Sequence, residues 1–285
     1  MSDITVSGRP GPGVTRCGGK ELRWGERTFI MGIINVTPDS FSGDGLGGDV
    51  GSAVARGKRF AAEGADILDV GGESTRPEAA PVTEEEELRR VIPVVEQLVR
   101  EAGLPVSVDT YRYEVARRAL LAGAAMINDI WGLAREPRLA DLAAEHGAPV
   151  VLMSNQRGRT CPDIMPEVIA SLQTSVALAL SRGVPPDSII VDPGVGFGKT
   201  LDQNLEIVRR LDELRCLGRP ILIGTSRKSM IGLVLGLPPD QRLEGTAATV
   251  AISVARGADV VRVHDVAQMV RVCRMADAVV RGRSK

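Results

Sequence analysis

Ile189-Ile190-Val191-Asp192-Pro193-Gly194-Val195-Gly196-Phe197-Gly198-Lys199-Thr200 reads as a buried strand that ends in an acid, turns on glycines and leads toward a helix. A short apolar run bounded by turn residues is the pattern of a strand covered on both faces, as in a parallel sheet. The same design recurs along the chain. Ile30 to Ile34 stands before Asn35, Ile67 to Val70 before Glu73, Val106 to Val108 before Asp109, and Ala125 to Ile127 before Asn128. Val150 to Met153 stands before Ser154, Ile221 to Ile223 before Ser226, and Val260 to Val263 runs through Arg262 to His264. Eight such runs with helical spacing between them predict an α/β fold, a single (β/α)8 TIM barrel. All strand carboxyl ends of such a barrel open on one face, so residues scattered along the chain can converge on one ligand.

The chain has 285 residues, ample for one such barrel, and 44% hydrophobic with 25% charged residues is ordinary for a globular domain. Thirty-five Lys and Arg against 36 Asp and Glu leave a net charge of -1, which argues against a nucleic-acid coat. An anionic ligand must then be held by a local cluster of donors. Cys17, Cys161, Cys216 and Cys273 have no C-x-x-C spacing and read as free thiols in a reducing compartment. Residues 1–19 are rich in Gly and Pro without the apolar stretch of a signal peptide, and read as a loose leader before a barrel domain over 20–285. No uninterrupted apolar segment approaches a membrane span, so a cytoplasmic location without membrane contact is expected.

Helices are expected at about 50–63, 112–122, 136–145, 165–182, 203–214 and 266–281, with one starting near Arg227 and another over 242–256. A further one opens at Thr83, where Thr-x-x-Glu is a helix-capping pattern and Leu88, Val91, Ile92 and Val95 form the apolar stripe. The run Glu84 to Glu87 therefore reads as a helix start and not as a metal site. The glycine-rich segment after Asp192 approaches a phosphate-binding P-loop but places Pro193 where that loop needs a glycine with a free amide. Asp192 as a strand-end ligand, with glycines bringing Phe197 near a flat substrate, accounts for it better.

Met31-Gly32-Ile33-Ile34-Asn35-Val36-Thr37-Pro38-Asp39-Ser40-Phe41-Ser42 and Gly71-Gly72-Glu73-Ser74-Thr75-Arg76-Pro77 resemble the two signature loops of the dihydropteroate synthases. Ser107-Val108-Asp109-Thr110, Asn128-Asp129, the Asp192 to Lys199 segment, Ser226-Arg227-Lys228 and Arg262-Val263-His264-Asp265 match that family in order over about residues 24–280. The resemblance implies condensation of 4-aminobenzoate with a dihydropterin methyl diphosphate, giving dihydropteroate and diphosphate. It implies a pterin pocket of Asp109, Asn128, Met153, Asp192, Phe197 and Lys228, with Asp192 accepting from the guanidine-like edge of the ring. Asn35, Arg76, Arg262 and His264 are implied for diphosphate, with magnesium (Mg2+) bridging Asn35 and the phosphate oxygens. Asp109, Lys228, Arg262 and His264 are the implied catalytic set. The aminobenzoate site implied is Phe41, Thr75, Arg76, Pro77, Phe197 and Ser229, closing late over the bound pterin and excluding water. Relatives of this kind are usually homodimers.

The chain departs from the commoner family pattern at Ser154, where many relatives have His, and at Asp44, displaced from the usual place of the first-loop acid. The leader has no family counterpart. Two other readings stay open at this level: a pterin-dependent corrinoid methyltransferase, which needs neither the Gly-Gly-Glu-Ser-Thr-Arg-Pro loop nor the Arg-Val-His pair, and a noncatalytic pterin-binding paralogue, expected to lose Thr75-Arg76 or Lys228 first.

Overall fold

A computed structural model describes residues 13–37, 49–73 and 82–282. It opens with an antiparallel hairpin, β1 (Val14–Cys17) and β2 (Lys20–Arg23). The eight apolar runs follow as β3 (Phe29–Asn35), β4 (Ile67–Gly71), β5 (Val106–Asp109), β6 (Met126–Asp129), β7 (Val150–Met153), β8 (Ile189–Asp192), β9 (Leu222–Ile223) and β10 (Val260–Val263). Their order is β8-β7-β6-β5-β4-β3-β10-β9, with every named pair parallel. A parallel bridge from Val191 to Ile221 brings the two end strands together, so the expected barrel is the fold.

The helices are α1 (Val50–Glu63), α2 (Glu84–Glu101), α3 (Tyr113–Leu121), α4 (Leu139–His146), α5 (Ile164–Ser181), α6 (Leu201–Arg209), α7 (Ser229–Leu235), α8 (Leu243–Ala255) and α9 (Val266–Val280). Thr83 caps α2 as its spacing predicts, its hydroxyl accepting from the Glu86 amide at 3.2 Å. The acid run is structural. Glu86 pairs with Arg89 and Arg90, and buried Glu87 pairs with Arg112. The stretch expected as one helix over 203–214 divides into α6 and a 3-10 segment, Leu211–Leu217. Leu211 and Leu214 are both buried there, and a three-residue turn places that pair on one side. By length and composition α5 could cross a membrane, but Val168, Leu172, Val176 and Ala179 are buried within the layer around the barrel.

Strand alternation divides the core. Leu68, Val70, Val106, Val108, Ile127 and Leu152 face outward into the helical layer, whereas Met31, Ile67, Met126, Val151, Ile190, Leu222 and Val260 fill the lower barrel interior. The hairpin seals that end: Cys17, Leu22 and Trp24 join the interior cluster, and the Trp24 indole N–H donates to Thr15 Oγ1 at 2.9 Å. This corrects the leader read as loose through Gly19. Among its glycines and prolines lies one four-residue strand, Val14–Cys17, which pairs with Lys20–Arg23 and belongs to the folded hairpin.

Candidate active site

From the barrel floor, counting in twos along each strand leads to polar residues at the mouth, all but the first of them singled out by the sequence: Ile67 to Asp69, Ser107 to Asp109, Met126 to Asn128, Ile190 to Asp192, Val260 to Arg262. Register sets Asn35 beside Gly71, Gly71 beside Asp109, Asp109 beside Asn128, and Met153 beside Asp192. One parity therefore delivers acids, amides and a guanidinium to the mouth from six strands.

Arg262 is the centre of this set. Its Nε donates to Asp69 Oδ2 at 2.6 Å and one Nη to Asp109 Oδ2 at 2.6 Å. Asn128 Nδ2 donates to the same Asp69 oxygen at 3.0 Å. Burial alone would depress the Arg262 guanidinium; Asp69 and Asp109 outweigh it and hold it above its ordinary value. Burial pushes Asp109 up to about 7, opposed by Arg262 and reinforced by the charges of Asp69, Glu87 and Asp129. The guanidinium expected for diphosphate is thus pinned between two carboxylates, and neither contact uses Nη1. Asp69 is a residue that the sequence reading missed. It sits inside the apolar run Ile67–Val70 and not after it, and the signal was an acid at the inward parity of a buried strand.

Asp192 lies across the mouth, 7% exposed, with Oδ1 accepting from the Gly194 amide at 2.7 Å. Burial raises its pKa against the pull of Lys228, the Gly194 amide, Lys199 and Arg262. Lys228 is itself lowered to about 8 by burial, which the nearby Asp192 opposes, and its ammonium donates to the Val195 carbonyl. The Phe197 ring centre lies 4.9 Å from that ammonium and 4.8 Å from the Arg157 guanidinium carbon. Gly194 takes φ +70°, and a Cβ there would sit 2.1 Å from the Ser154 carbonyl oxygen, so the close approach of this turn to β7 requires glycine. Lys199 turns inward and donates to the carbonyls of Gly194 at 2.8 Å, Ser154 at 2.9 Å and Phe197 at 3.3 Å. A lysine that braces its own loop is not a P-loop lysine aimed at phosphate.

On the β10 side, His264 Nδ1 lies 3.0 Å from Ser226 Oγ, and the His264 amide donates to the same oxygen at 3.2 Å. Burial, with Arg262, Arg227, Arg56 and Lys228 nearby, pushes its pKa down to about 3, so the ring is neutral before any anion arrives. Arg227, at φ 57°, is tied to Asp265 through Nε at 2.9 Å and an Nη at 2.5 Å, fixing the turn that carries Lys228 and Ser229. Ser229 is exposed at the first position of the seven-residue α7. Glu73 accepts from Tyr111 Oη at 3.2 Å and pairs with Arg112 at 2.7 Å, which assigns it a structural role beside the mouth. Ser154 is buried, with Oγ accepting from Gln156 Nε2 at 2.9 Å. Asn128, Met153, Asp192, Phe197, Lys228, Asp109, Arg262, His264 and Asn35 are all at the mouth end; Asp39, Phe41, Asp44, Thr75, Arg76 and Pro77 lie outside the described residues. Among the described residues no group of three or more His, Cys, Asp or Glu is arranged to hold a metal; Asn35, which the resemblance implies for magnesium, ends β3 at the mouth.

The family profile described as pterin binding enzyme matches residues 31–264. Dihydropteroate synthase from Bacillus subtilis is 49% identical over 258 residues, 90% of each chain, and that of Escherichia coli K12 is 43% identical over 256 residues, 87% of this chain and 90% of its own. Dihydropteroate synthase from Clostridium difficile, solved in the presence of pteroic acid, superposes with a TM-score of 0.86 at 49% identity, covering 90% of this chain and 98% of that one. The Xanthomonas albilineans enzyme with 4-aminobenzoic acid gives a TM-score of 0.88 at 46% identity over 93% of this chain and 97% of that one.

Proposed function

The chain belongs to the dihydropteroate synthase family of pterin-binding enzymes, and from that membership we infer how its own residues divide the reaction. The activity is transfer of the (7,8-dihydropterin-6-yl)methyl group from diphosphate to 4-aminobenzoate, a step in folate biosynthesis. The aromatic amine nitrogen bonds to the methylene carbon, the carbon–oxygen bond breaks toward diphosphate, and the amine gives up one proton. An arylamine has a free lone pair at neutral pH, so little base catalysis is needed. Charge is the problem instead: positive on the pterin as the bond weakens, negative on the leaving group.

Asp192 accepts from the pterin's donor edge, Asn128 meets the adjoining ring atoms, and Lys228 donates to the carbonyl side, with Met153 and Phe197 lining the ring. Asp109 offsets the positive charge that spreads over the pterin as the carbon–oxygen bond breaks. The observation that carries this reading is the convergence of Asp109, Asn128 and Arg262 in one hydrogen-bonded set beside Asp192 and Lys228. Arg262, through the Nη1 that its carboxylate partners leave, receives the diphosphate together with His264, Asn35 and Arg76. An arriving anion raises the His264 pKa and turns a neutral ring into a stronger donor. The Asn35 amide oxygen would hold magnesium, a hard cation suited to oxygen ligands, and bound there it would offset the charge of the leaving diphosphate. Phe41, Thr75, Arg76, Pro77 and Phe197 enclose the aminobenzoate, whose carboxylate meets the Ser229 hydroxyl and amide. The chain works as a homodimer in the cytoplasm. Supporting this are four free cysteines and exposed apolar side chains on the last three helices, Leu233, Val234 and Leu235 of α7, Ile252 of α8, and Met275 and Val279 of α9.

Arg262→Ala tests the assignment of the diphosphate site. Turnover is expected to fall by roughly a hundredfold or more, with weaker diphosphate binding. Full turnover in that variant removes Arg262 from leaving-group stabilisation.

A further inference from the structure

Asp69 has no exposed side-chain surface, so it lies beneath the pocket floor and out of a ligand's reach. Yet its Oδ2 is the oxygen on which two pocket residues meet, accepting from Arg262 Nε at 2.6 Å and from Asn128 Nδ2 at 3.0 Å. A carboxylate oxygen with two donors on it allows only one orientation of the asparagine amide: the NH2 faces Asp69. Asn128 then turns its carbonyl oxygen and its second amide hydrogen elsewhere. A flip would set two oxygens against each other.

The second carboxylate oxygen, Asp69 Oδ1, is buried without a hydrogen-bond partner among the described residues, as is Ser107 Oγ on the adjoining strand, in register with Asp69. Nature rarely leaves such an atom in a stable core without some return. Here the return is orientation. The pair also sets the guanidinium: with Nε on Asp69 and one Nη on Asp109, the Arg262 plane is fixed along two edges.

We propose that Asp69 is a positioning residue for the reaction, anchoring Arg262 and the amide orientation of Asn128 from below and so setting the donor–acceptor pattern that the pocket offers the pterin. The inference rests on the pterin reading of the site. It assigns Asp69 no contact with substrate. A second consequence follows from charge: Arg262 on β10, Asp69 on β4, Glu87 on α2 and Asp129 on β6 act on Asp109, and Asp69 is the like charge that shares the guanidinium with it.

Asp69→Asn keeps the shape and removes the charge. With 6-hydroxymethylpterin as probe, calorimetry is expected to show affinity reduced roughly ten- to hundredfold relative to the unmodified chain. The KM for 4-aminobenzoate is expected to stay unchanged while kcat/KM for the pterin diphosphate falls. The acid limb of the pH profile moves down by about one unit, because Asp109 loses a like-charged neighbour and keeps Arg262 to itself. Loosened packing alone would shift neither limb and would spread across both substrates. The unmodified chain supplies an independent reading if the variant does not fold: one side-chain amide proton of Asn128, assigned in NMR spectra against Asn128→Ala, must be protected from exchange without ligand. Unchanged pterin affinity and acid limb in Asp69→Asn, or rapid exchange of both Asn128 protons, overturns the positioning role. Failure of the unmodified chain to bind the pterin probe overturns the pterin reading instead.

Discussion

Replacing Asp192 with Asn should leave the barrel intact and all but remove pterin binding. The side chain is buried, and the Gly194 amide that it accepts at 2.7 Å can be accepted equally by an asparagine carbonyl oxygen, so the glycine turn survives. What changes is the other half of the group. An NH2 replaces an acceptor that would face the donor edge of the ring, turning attraction into a donor–donor clash. Loss of a charged acceptor inside a pocket costs about 2 to 5 kcal/mol, a weakening of roughly thirty- to several-thousandfold. Lys228 compounds the loss. Burial already holds its ammonium down at about 8, and Asp192, ahead of Asp109, opposes this, so without it Lys228 sheds its proton nearer neutrality. Calorimetric titration with pterin at pH 7 and at pH 6 measures both effects: the deficit is expected to shrink at the lower pH, where Lys228 is recharged. Thermal melting alongside checks the fold. An affinity within twofold of the unmodified chain at both values refutes the reasoning and removes Asp192 from the pterin site.

The pH dependence of kcat/KM is expected to be a narrow bell. Asp109 acts as a carboxylate and is pushed up to about 7, so activity is lost as pH falls below it; Lys228 acts protonated and is lowered to about 8, so activity is lost as pH rises above it. A flat profile from pH 6 to 9 contradicts these roles. Gly194→Ala forces a Cβ to 2.1 Å from the Ser154 carbonyl oxygen at φ +70°, and is expected to cost at least about 2 kcal/mol in denaturant unfolding while weakening pterin binding. A sulfonamide or 4-aminobenzoate is expected to bind weakly to the free chain and tightly once pterin and diphosphate are present, read by fluorescence or calorimetry; equal affinity in both states rules out late assembly of that site.

The barrel was legible because each strand is a bounded apolar run and the segments between the strands carry helical spacing. Thr83 predicted the start of α2, and the 50–63 spacing matches α1. The polar residues that gather at the mouth were legible because they end the runs. Legibility failed where a residue's meaning depends on what lies across the barrel. Asp69 is one acid in an apolar strand, and only closure of β4 toward β10 shows that it holds Arg262. Arg262 read as a cation for diphosphate; its two carboxylate partners come from strands 193 and 153 residues away in sequence. Pro193 already spoke against a phosphate loop in the segment that ends at Lys199, and the folded chain agrees: the lysine's contacts are the carbonyls of Gly194, Phe197 and Ser154. The hairpin over Val14–Arg23 was obscured because turn-rich composition outweighs two strands of four residues whose stability comes from covering the barrel floor.

The most direct measurement is product formation by the purified chain given 4-aminobenzoate and (7,8-dihydropterin-6-yl)methyl diphosphate, with and without magnesium. Dihydropteroate and diphosphate are expected in equal amounts, faster with magnesium present. No condensation product, together with methyl transfer from methyltetrahydrofolate, would contradict the account and assign the pocket to a different pterin chemistry.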